Sequence, residues 1–228
     1  MISIIIPTYN EEKNIGKLVA HLKKAGGEKV LEIIVSDGGS NDLTLINAKQ
    51  AGASAYASPL NGRAAQMNFG ASLSKGSILY FVHADTLPPE TFAGDIIKAI
   101  EAGFDFGRFR TKFDSSSVLL KMNAWLTRFD LFECYGGDQT LFIKSNLFRK
   151  VNGFNENQII MEDYDIVERT KKLGKYAIIK RNVIVSARKY QMLSWYKVQK
   201  ANYKMVKMYK KGVSPMLMLS TYKKLLTP

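Results

Sequence analysis

Two carboxylates stand where apolar runs end in the first half of the sequence. Asp37 closes a run at residues 31–36, and Asp85 follows another at residues 77–82. Since Asp and Gly are common turn residues, Asp37 with Gly38 fits a turn as well as a binding site. Asp85 fits either the cap of the next helix or an oxygen ligand for Mg²⁺ or Mn²⁺ that bridges to a diphosphate.

A second acidic pair, Glu162 and Asp163, opens a helix predicted at residues 161–173. Carboxylates in a first helical turn complement the helix dipole, which is a purely structural role. The alternative is a general base, because transfer to a hydroxyl group needs an acceptor for its proton. Asp165 and Arg169 are four residues apart, a spacing that predicts a surface ion pair.

Further candidates are one loop and two arginines. The loop at residues 136–139 holds two glycines, so it is either a hinge or a close-approach loop that faces an acceptor. Arg63 and Arg188, taken singly, are typical of solvated surface residues. Together they could stabilise a leaving diphosphate through charge-assisted hydrogen bonds.

The elements that must position these residues alternate along the first hundred residues. Strands are predicted at residues 2–6, 31–36, 53–57 and 77–82, and helices from Asn10, after Ser40, at 63–73 and from Pro88. Such alternation predicts an α/β fold with a mostly parallel sheet and helices on both faces. Ligands bind beyond the carboxyl ends of such strands, where Asp37 and Asp85 lie.

The second half changes character. The pattern predicts a strand at 104–113 with a bulge near Gly107, helices at 118–131 and 161–173, extended segments at 139–143 and 176–187, and a long helix at 190–211. That long helix carries a lysine stripe beside an apolar stripe. The lysines are Lys197, Lys200, Lys204, Lys207 and Lys211, and the apolar residues are Val198, Ala201, Met205 and Met208.

Composition bounds the class of protein. With 228 residues, 46% hydrophobic and 23% charged, the chain suits one globular domain. The single cysteine, Cys134, cannot form an internal disulfide, which favours a reducing compartment. Neither a signal-peptide apolar region nor an apolar run of about 20 residues is present, so we expect a cytoplasmic protein.

The net charge of +13 is concentrated near the end of the chain. No acidic residue follows Glu168, whereas 16 of the 33 basic residues do. Such a segment suits an anionic partner: phosphates, a membrane surface or nucleic acid, with Trp195, Tyr196, Tyr203 and Tyr209 available for base stacking. The striped helix fits a peripheral helix at the inner membrane face, a partner-facing helix or a solvated helix packed on the domain.

The order of these motifs carries a resemblance. The opening strand, followed by PTYNEE at residues 7–12, resembles the family 2 glycosyltransferases of GT-A fold, as does VSDGGS at 35–40. More narrowly, the chain is similar to a bacterial subgroup labelled radical-SAM/selenodomain-associated transferase 2. The matching segments are GRAAQMN at 62–68, HADT at 83–86, GDQ at 137–139, MED at 161–163 and SAR at 186–188.

The resemblance implies roles for the candidate residues. It implies an inverting transfer with Asp163 as the catalytic base, and a cation, Mg²⁺ or Mn²⁺, on Asp85. Glu162 would support the base or contact the acceptor. The acceptor pocket would involve Gly137, Asp138 and Gln139. The residues expected around a UDP- or GDP-sugar are Pro7, Thr8, Tyr9, Glu11, Asp37, Gly38, Arg63, Asp85 and Arg188. The acceptor is unidentified, and a lipid-linked molecule is one alternative.

It also implies one domain at residues 1–228. Residues 1–103 would bind the nucleotide, 104–187 the acceptor, and 188–228 would form a basic helical extension.

One departure from the wider fold concerns the metal site. The first position of the usual Asp-x-Asp pair is His83, which either ligates the metal or hydrogen-bonds locally.

Two rival functional classes are less well supported than a glycosyltransferase. A sugar nucleotidyltransferase would place a basic, glycine-rich loop after strand one, and residues 7–12 have neither feature. A basic protein that binds nucleic acid or a membrane surface, built on a nucleotide-binding fold, is the other alternative.

Overall fold

The computed structural model describes residues 1–136 and 139–227. Within these residues one eight-stranded sheet has the order β3-β2-β1-β4-β7-β6-β8-β5. The strands are β1 Ile2–Thr8, β2 Val30–Asp37, β3 Ser54–Ala57, β4 Ile78–Phe81, β5 Thr86–Leu87, β6 Phe106–Phe113, β7 Leu141–Lys144 and β8 Tyr176–Val185. The helices are α1 Ile15–Gly26, α2 Thr44–Gln50, α3 Arg63–Ser72, α4 Phe92–Glu101, α5 Val118–Leu126, α6 Ser145–Lys150, α7 Glu162–Lys171, α8 Arg188–Met192, α9 Trp195–Lys210 and α10 Pro215–Leu226.

The first four strands form the parallel part of the sheet. Strand β1 lies between β2 and β4 and is buried along its whole length, as its isoleucine run predicts. Thr8 pairs with Asp37 at the ends of β1 and β2. The carboxyl ends of these strands therefore share one edge of the sheet, and the predicted parallel architecture is confirmed.

The rest of the sheet is mixed. Strand β7 runs antiparallel to both β4 and β6, β6 pairs parallel with β8, and β5 adds an antiparallel edge. The short strand β5 was not predicted. The predicted bulge near Gly107 is displaced: the register shifts between Phe109 and Arg110, against β8. Gly107 is required for another reason, because a Cβ there would collide with the carbonyl of Ala177.

Three predicted helix starts were wrong. Helix α1 begins at Ile15 rather than at Glu11, because Asn10 adopts a positive φ of 53°. Ser40 does not cap α2; its hydroxyl accepts a hydrogen bond from the Asn10 amide and donates one to Asp37. The helix expected from Pro88 begins only at Phe92. In the first two cases side chains bridge the two loops, and this long-range bonding overrides the local capping signal.

The C-terminal helices pack on the domain. The predicted long helix is divided into α8 and α9 at Leu193, and α10 follows within the segment expected to be helical. The apolar stripe of α9 packs against the domain, because its four residues are all buried: Val198, Ala201, Met205 and Met208. Among residues 1–136 and 139–227, no helix has both the length and the apolarity needed to cross a bilayer.

Candidate active site

Asp37 organises the loop at the end of β2. Its carboxylate accepts hydrogen bonds from the Thr8 hydroxyl (3.1 Å), the Ser40 hydroxyl (2.5 Å) and the backbone amides of Gly39 (3.0 Å) and Ser40 (2.8 Å). Asp37 is 1% exposed. These four bonds describe an Asp-centred turn, which is the structural interpretation of this motif. A hydrogen bond from Asp37 to a nucleotide base stays a prediction.

Gln66, in α3, links the ends of β1 and β2. Its amide nitrogen donates to the carbonyls of Thr8 (2.7 Å) and Ser36 (2.9 Å), so one side chain ties β1 to β2. A Cβ on Gly38 would lie 3.0 Å from this amide, which explains the glycine. Two features of the sequence single out Gln66: it is a polar residue among the small apolar residues of α3, and it belongs to the GRAAQMN segment at 62–68. Neither feature predicts that it joins β1 to β2.

Glu11, Asp85 and Arg188 come together at the strand ends. The Arg188 guanidinium donates to Glu11 Oε1 (2.8 Å), and Asn14 donates to Glu11 Oε2 (2.6 Å). The hydrogen bond and charge of Glu11, with a further attraction from Asp85, raise the pKa of Arg188. Residues 177 positions apart thus place a permanent cation beside Asp85.

Arg63 connects the second acidic pair to the sheet. Its Nε donates to Glu162 Oε1, and its Nη2 lies 3.9 Å from Asp163 Oδ2. Glu162 is 2% exposed, and its Oε2 has no hydrogen-bond partner within the described part of the chain. Burial and the nearby Arg63 charge lower the pKa of His83 to about 3. The imidazole is therefore neutral near pH 7.

The start of α7 fixes the direction of these carboxylates. Met161, the residue before the helix, adopts a left-handed conformation with φ of 67°, which is costly for a side chain of its size. The predicted pair of Asp165 and Arg169 is confirmed at 2.5 Å, and Arg169 also donates to the carbonyls of Val151 and Gly153. The helix start is therefore anchored to the preceding loop.

A cleft of about 580 Å³ opens in front of Asp163. Arg63, Asp163 and Gln139 lie on its wall, together with apolar and aromatic side chains from β6, α5, α9 and α10. They include Phe113, Met122, Leu126, Trp195, Tyr203 and Tyr222. The sequence assigned residues 104–187 to the acceptor but indicated none of these side chains as its contacts, and it suggested Trp195 and Tyr203 only for base stacking.

The remaining candidates are placed less directly. Gln139 donates to the Cys134 carbonyl. Gly137 and Asp138 lie outside the described residues. Pro7 is buried in β1, whereas Tyr9 is 58% exposed just beyond it. None of these positions assigns a role by itself.

A divalent cation fits this site only with help from a ligand. The described residues contain no cluster of three or more His, Cys, Asp or Glu side chains able to hold a metal. Asp85 supplies one carboxylate, and neutral His83 is two residues away. Mg²⁺ is commonly held by one or two carboxylates, waters and substrate phosphates, so this donor set suits an ion that arrives with a diphosphate.

Residues 3–156 match the sequence model described as Glycosyl transferase family 2, and the chain belongs to this family of glycosyltransferases. It is 32% identical over 97 residues to glucosyl-3-phosphoglycerate synthase of Mycolicibacterium smegmatis. That match covers 39% of this chain and spans 32% of the relative's length. The narrower subgroup resemblance stays a prediction.

Solved structures share the fold. S. aureus TarS 1–349 matches with a TM-score of 0.68 at 16% identity, over 99% of this chain and 70% of that chain. Glucosyl-3-phosphoglycerate synthase from Mycobacterium tuberculosis, in complex with Mg²⁺ and UDP, matches with a TM-score of 0.61 at 18% identity, over 81% and 70%. TarS 1–349 was also solved with UDP-GlcNAc, with a TM-score of 0.67 at 19% identity, over 82% and 58%. The GT-A architecture expected from the sequence is confirmed.

Proposed function

We propose that the protein transfers a sugar from a nucleoside-diphosphate sugar to an acceptor hydroxyl group, with inversion at the anomeric carbon. The observation that carries this proposal is the position of Asp163. It lies on the wall of the cleft of about 580 Å³, and its Oδ2 is 3.9 Å from the Arg63 guanidinium. A carboxylate between an open cleft and a cationic side chain suits proton removal from an incoming alcohol.

The candidate residues fall into a group that binds the donor and a group that binds the acceptor. Thr8, Tyr9, Glu11 and Asp37 with Gly38 form the strand-end loops on which the nucleotide rests. Arg63 and Arg188 neutralise charge that develops on the departing diphosphate, as fixed cations do in other transfer sites. Gln139 faces the acceptor, and the same role is proposed for Gly137 and Asp138, which lie outside the described residues.

Asp163 acts as the general base. It removes the proton of the acceptor hydroxyl group while that oxygen attacks the anomeric carbon from the face opposite the diphosphate. Glu162 holds Arg63 in place through their hydrogen bond. The walls of the cleft keep the reacting groups close, which lowers the entropic part of the barrier.

Asp85, aided by neutral His83, would hold a divalent cation against the diphosphate oxygens. When bound, this cation supplies Lewis-acid stabilisation of the leaving group. The structural neighbours that contain UDP together with Mg²⁺ or Mn²⁺ support this assignment. They also make UDP-sugars the first donors to test, ahead of GDP-sugars.

The nucleic-acid alternative is not favoured. Two of its four stacking residues are engaged elsewhere: Trp195 lines the cleft, and Tyr209 packs on Phe132 and Tyr164, whereas Tyr196 and Tyr203 are 71% and 61% exposed.

A thermal-shift screen of nucleoside diphosphates and nucleotide sugars, with and without Mn²⁺, tests the proposal. A donor present at about 100 times its Kd adds about 2.7 kcal/mol to the free energy of unfolding, so a specific nucleotide stands out by its shift in Tm. We expect the Mn²⁺-dependent part of the shift to disappear in Asp85→Asn. Stabilisation by no nucleotide at all, with or without Mn²⁺, would contradict the proposal.

A further inference from the structure

Helix α5 turns a row of apolar side chains toward solvent. Val118, Met122, Trp125 and Phe129, the last in the turn that continues the helix, are 76%, 48%, 51% and 42% exposed. Spacings of four, three and four residues place them on one side of a helix. A single exposed apolar residue is ordinary, whereas a contiguous exposed row marks an interaction surface. We call these four residues the α5 face.

The helix is firmly held from its other side. Leu120 is buried in the core, and the Thr127 hydroxyl accepts a hydrogen bond from the Thr111 amide (3.0 Å). Arg108, itself 3% exposed, donates to the carbonyls of Thr127 (2.7 Å) and Phe129 (3.1 Å). These contacts hold the opposite side of the helix against the domain, so the α5 face is exposed to solvent in the folded protein.

The α5 face lies between the cleft and a basic flank. Met122 belongs to the face and also lines the cleft, as does Leu126. Lys121 and Arg128 are exposed, and at about 100° per residue they project from the side of the face opposite Leu126. Across the helix the order is therefore cleft wall, apolar row, basic residues.

We propose that the α5 face docks on an anionic lipid surface and that the acceptor enters the cleft from that surface. Aromatic and aliphatic residues flanked by Lys and Arg are the composition of helices that lie in a membrane interface. The net charge of +13, carried by residues after Glu168, attracts the protein as a whole to anionic lipid and opposes self-association, and Lys121 and Arg128 supply the positive charge beside the α5 face. With nine residues, α5 is too short to span a bilayer and suits a position in its plane.

This placement narrows the acceptor class. Resting on the proposed function, it makes the acceptor an amphiphile: an apolar part in the lipid or along Met122 and Leu126, and a hydroxyl group that reaches Asp163. The cleft wall offers matching apolar and aromatic side chains, including Phe113, Trp195 and Tyr203.

Vesicle binding of the full chain tests the docking surface. The chain has two tryptophans, so Trp195→Phe leaves Trp125 as the sole reporter. We expect its emission to shift to shorter wavelength with vesicles of phosphatidylcholine and phosphatidylglycerol. No shift is expected with phosphatidylcholine alone, and 0.5 M salt should weaken the effect. In pelleting assays Trp125→Ser/Phe129→Ser should bind such vesicles about tenfold or more weakly than the unaltered protein.

A matched control uses two equally exposed apolar residues at the distant end of the sheet. Leu31 and Ile46 are 44% and 52% exposed, and Leu31→Ser/Ile46→Ser should bind vesicles like the unaltered protein. Circular dichroism and Tm confirm that the variants fold. Equal vesicle binding by Trp125→Ser/Phe129→Ser, or a dimer in sedimentation that this variant dissociates, would overturn the proposal. Nucleotide stabilisation is measured in the same samples, so a failure of the proposed function is seen separately from a failure of docking.

Discussion

The two sides of the site are built from different kinds of contact. On the donor side, polar groups are satisfied by neighbouring loops of adjacent parallel strands, as when Asp37 accepts from Thr8, Gly39 and Ser40. On the acceptor side, the walls come from helices that are distant in sequence. There the buried Arg108 joins β6 to β8 and to the end of α5 through Tyr176, Thr127 and Phe129.

This difference has consequences for how each side can vary. The donor side is tightly bonded and leaves little space around Asp37, so changes there disturb the sheet itself. The acceptor side is a cleft of about 580 Å³ lined by replaceable apolar side chains.

The largest effect is expected from Asp163→Asn. Asparagine keeps the shape of the side chain but cannot accept the proton, so turnover should fall by about 10²–10⁴-fold, while donor affinity stays within about twofold. Release of nucleoside diphosphate measures turnover, and calorimetry measures donor affinity.

Asp165→Asn is the matched control on the same helical turn. It should lower Tm through loss of the Arg169 pair, yet keep turnover within about threefold. Normal turnover by Asp163→Asn would show that the base lies elsewhere and that the cleft is not where the proton is removed.

The next prediction concerns the acceptor side. Arg108→Met leaves two buried carbonyls and the Tyr176 hydroxyl without their donor, so the free energy of unfolding should fall by about 2–4 kcal/mol. Arg108 also opposes the burial that raises the pKa of Tyr176 to about 12, so this pKa should rise further. Denaturant unfolding measures the first effect, and ultraviolet titration the second. Arg128→Met, at an exposed position, should change stability by less than about 0.5 kcal/mol.

The same contrast explains what could be predicted from the sequence. Strands β1 and β4 are buried along their whole length, and β2 is buried from Ile33 onward. Each run ends in a motif, so the order of these strands and the positions of Asp37 and Asp85 could be inferred locally. The buried role of Arg108, the left-handed Met161 and the aromatic cleft wall could not. Arg108 bonds residues 19 to 68 positions away, and the cleft wall combines β6, α5, α9 and α10, so no local propensity encodes these contacts. A left-handed backbone at Met161 is the opposite of what its residue type predicts. The predicted start of α1 was wrong for a similar reason, because Asn10 forms hydrogen bonds with Ser40 and Asn41 in another loop.

Glu162→Gln probes the link between the two sides. The amide weakens the bond to Arg63, and loss of a charged hydrogen bond of about 1.5–3 kcal/mol predicts a decrease in kcat of about 10–100-fold. Arg63 would then interact more strongly with Asp163, which favours the ionised base and lowers its pKa. The acid limb of the kcat profile should therefore move to lower pH. A purely structural Glu162 would reduce Tm and leave this limb in place.

The smallest effect on stability is expected from Arg188→Gln. Arg188 is 56% exposed, and exposed ion pairs contribute about 0–1 kcal/mol, so loss of the Glu11 pair should barely change the free energy of unfolding. Donor affinity should nevertheless weaken by about three- to tenfold, because in the proposed mechanism Arg188 neutralises charge on the diphosphate, and Arg188→Lys should restore part of this affinity. Unfolding in urea and calorimetry with the nucleotide found in the screen give the two values. The opposite result, a decrease of more than about 2 kcal/mol in the free energy of unfolding with unchanged donor affinity, would show that Arg188 acts structurally through its ion pair with Glu11. Neutralisation of the leaving diphosphate would then fall to Arg63 and the divalent cation proposed on Asp85.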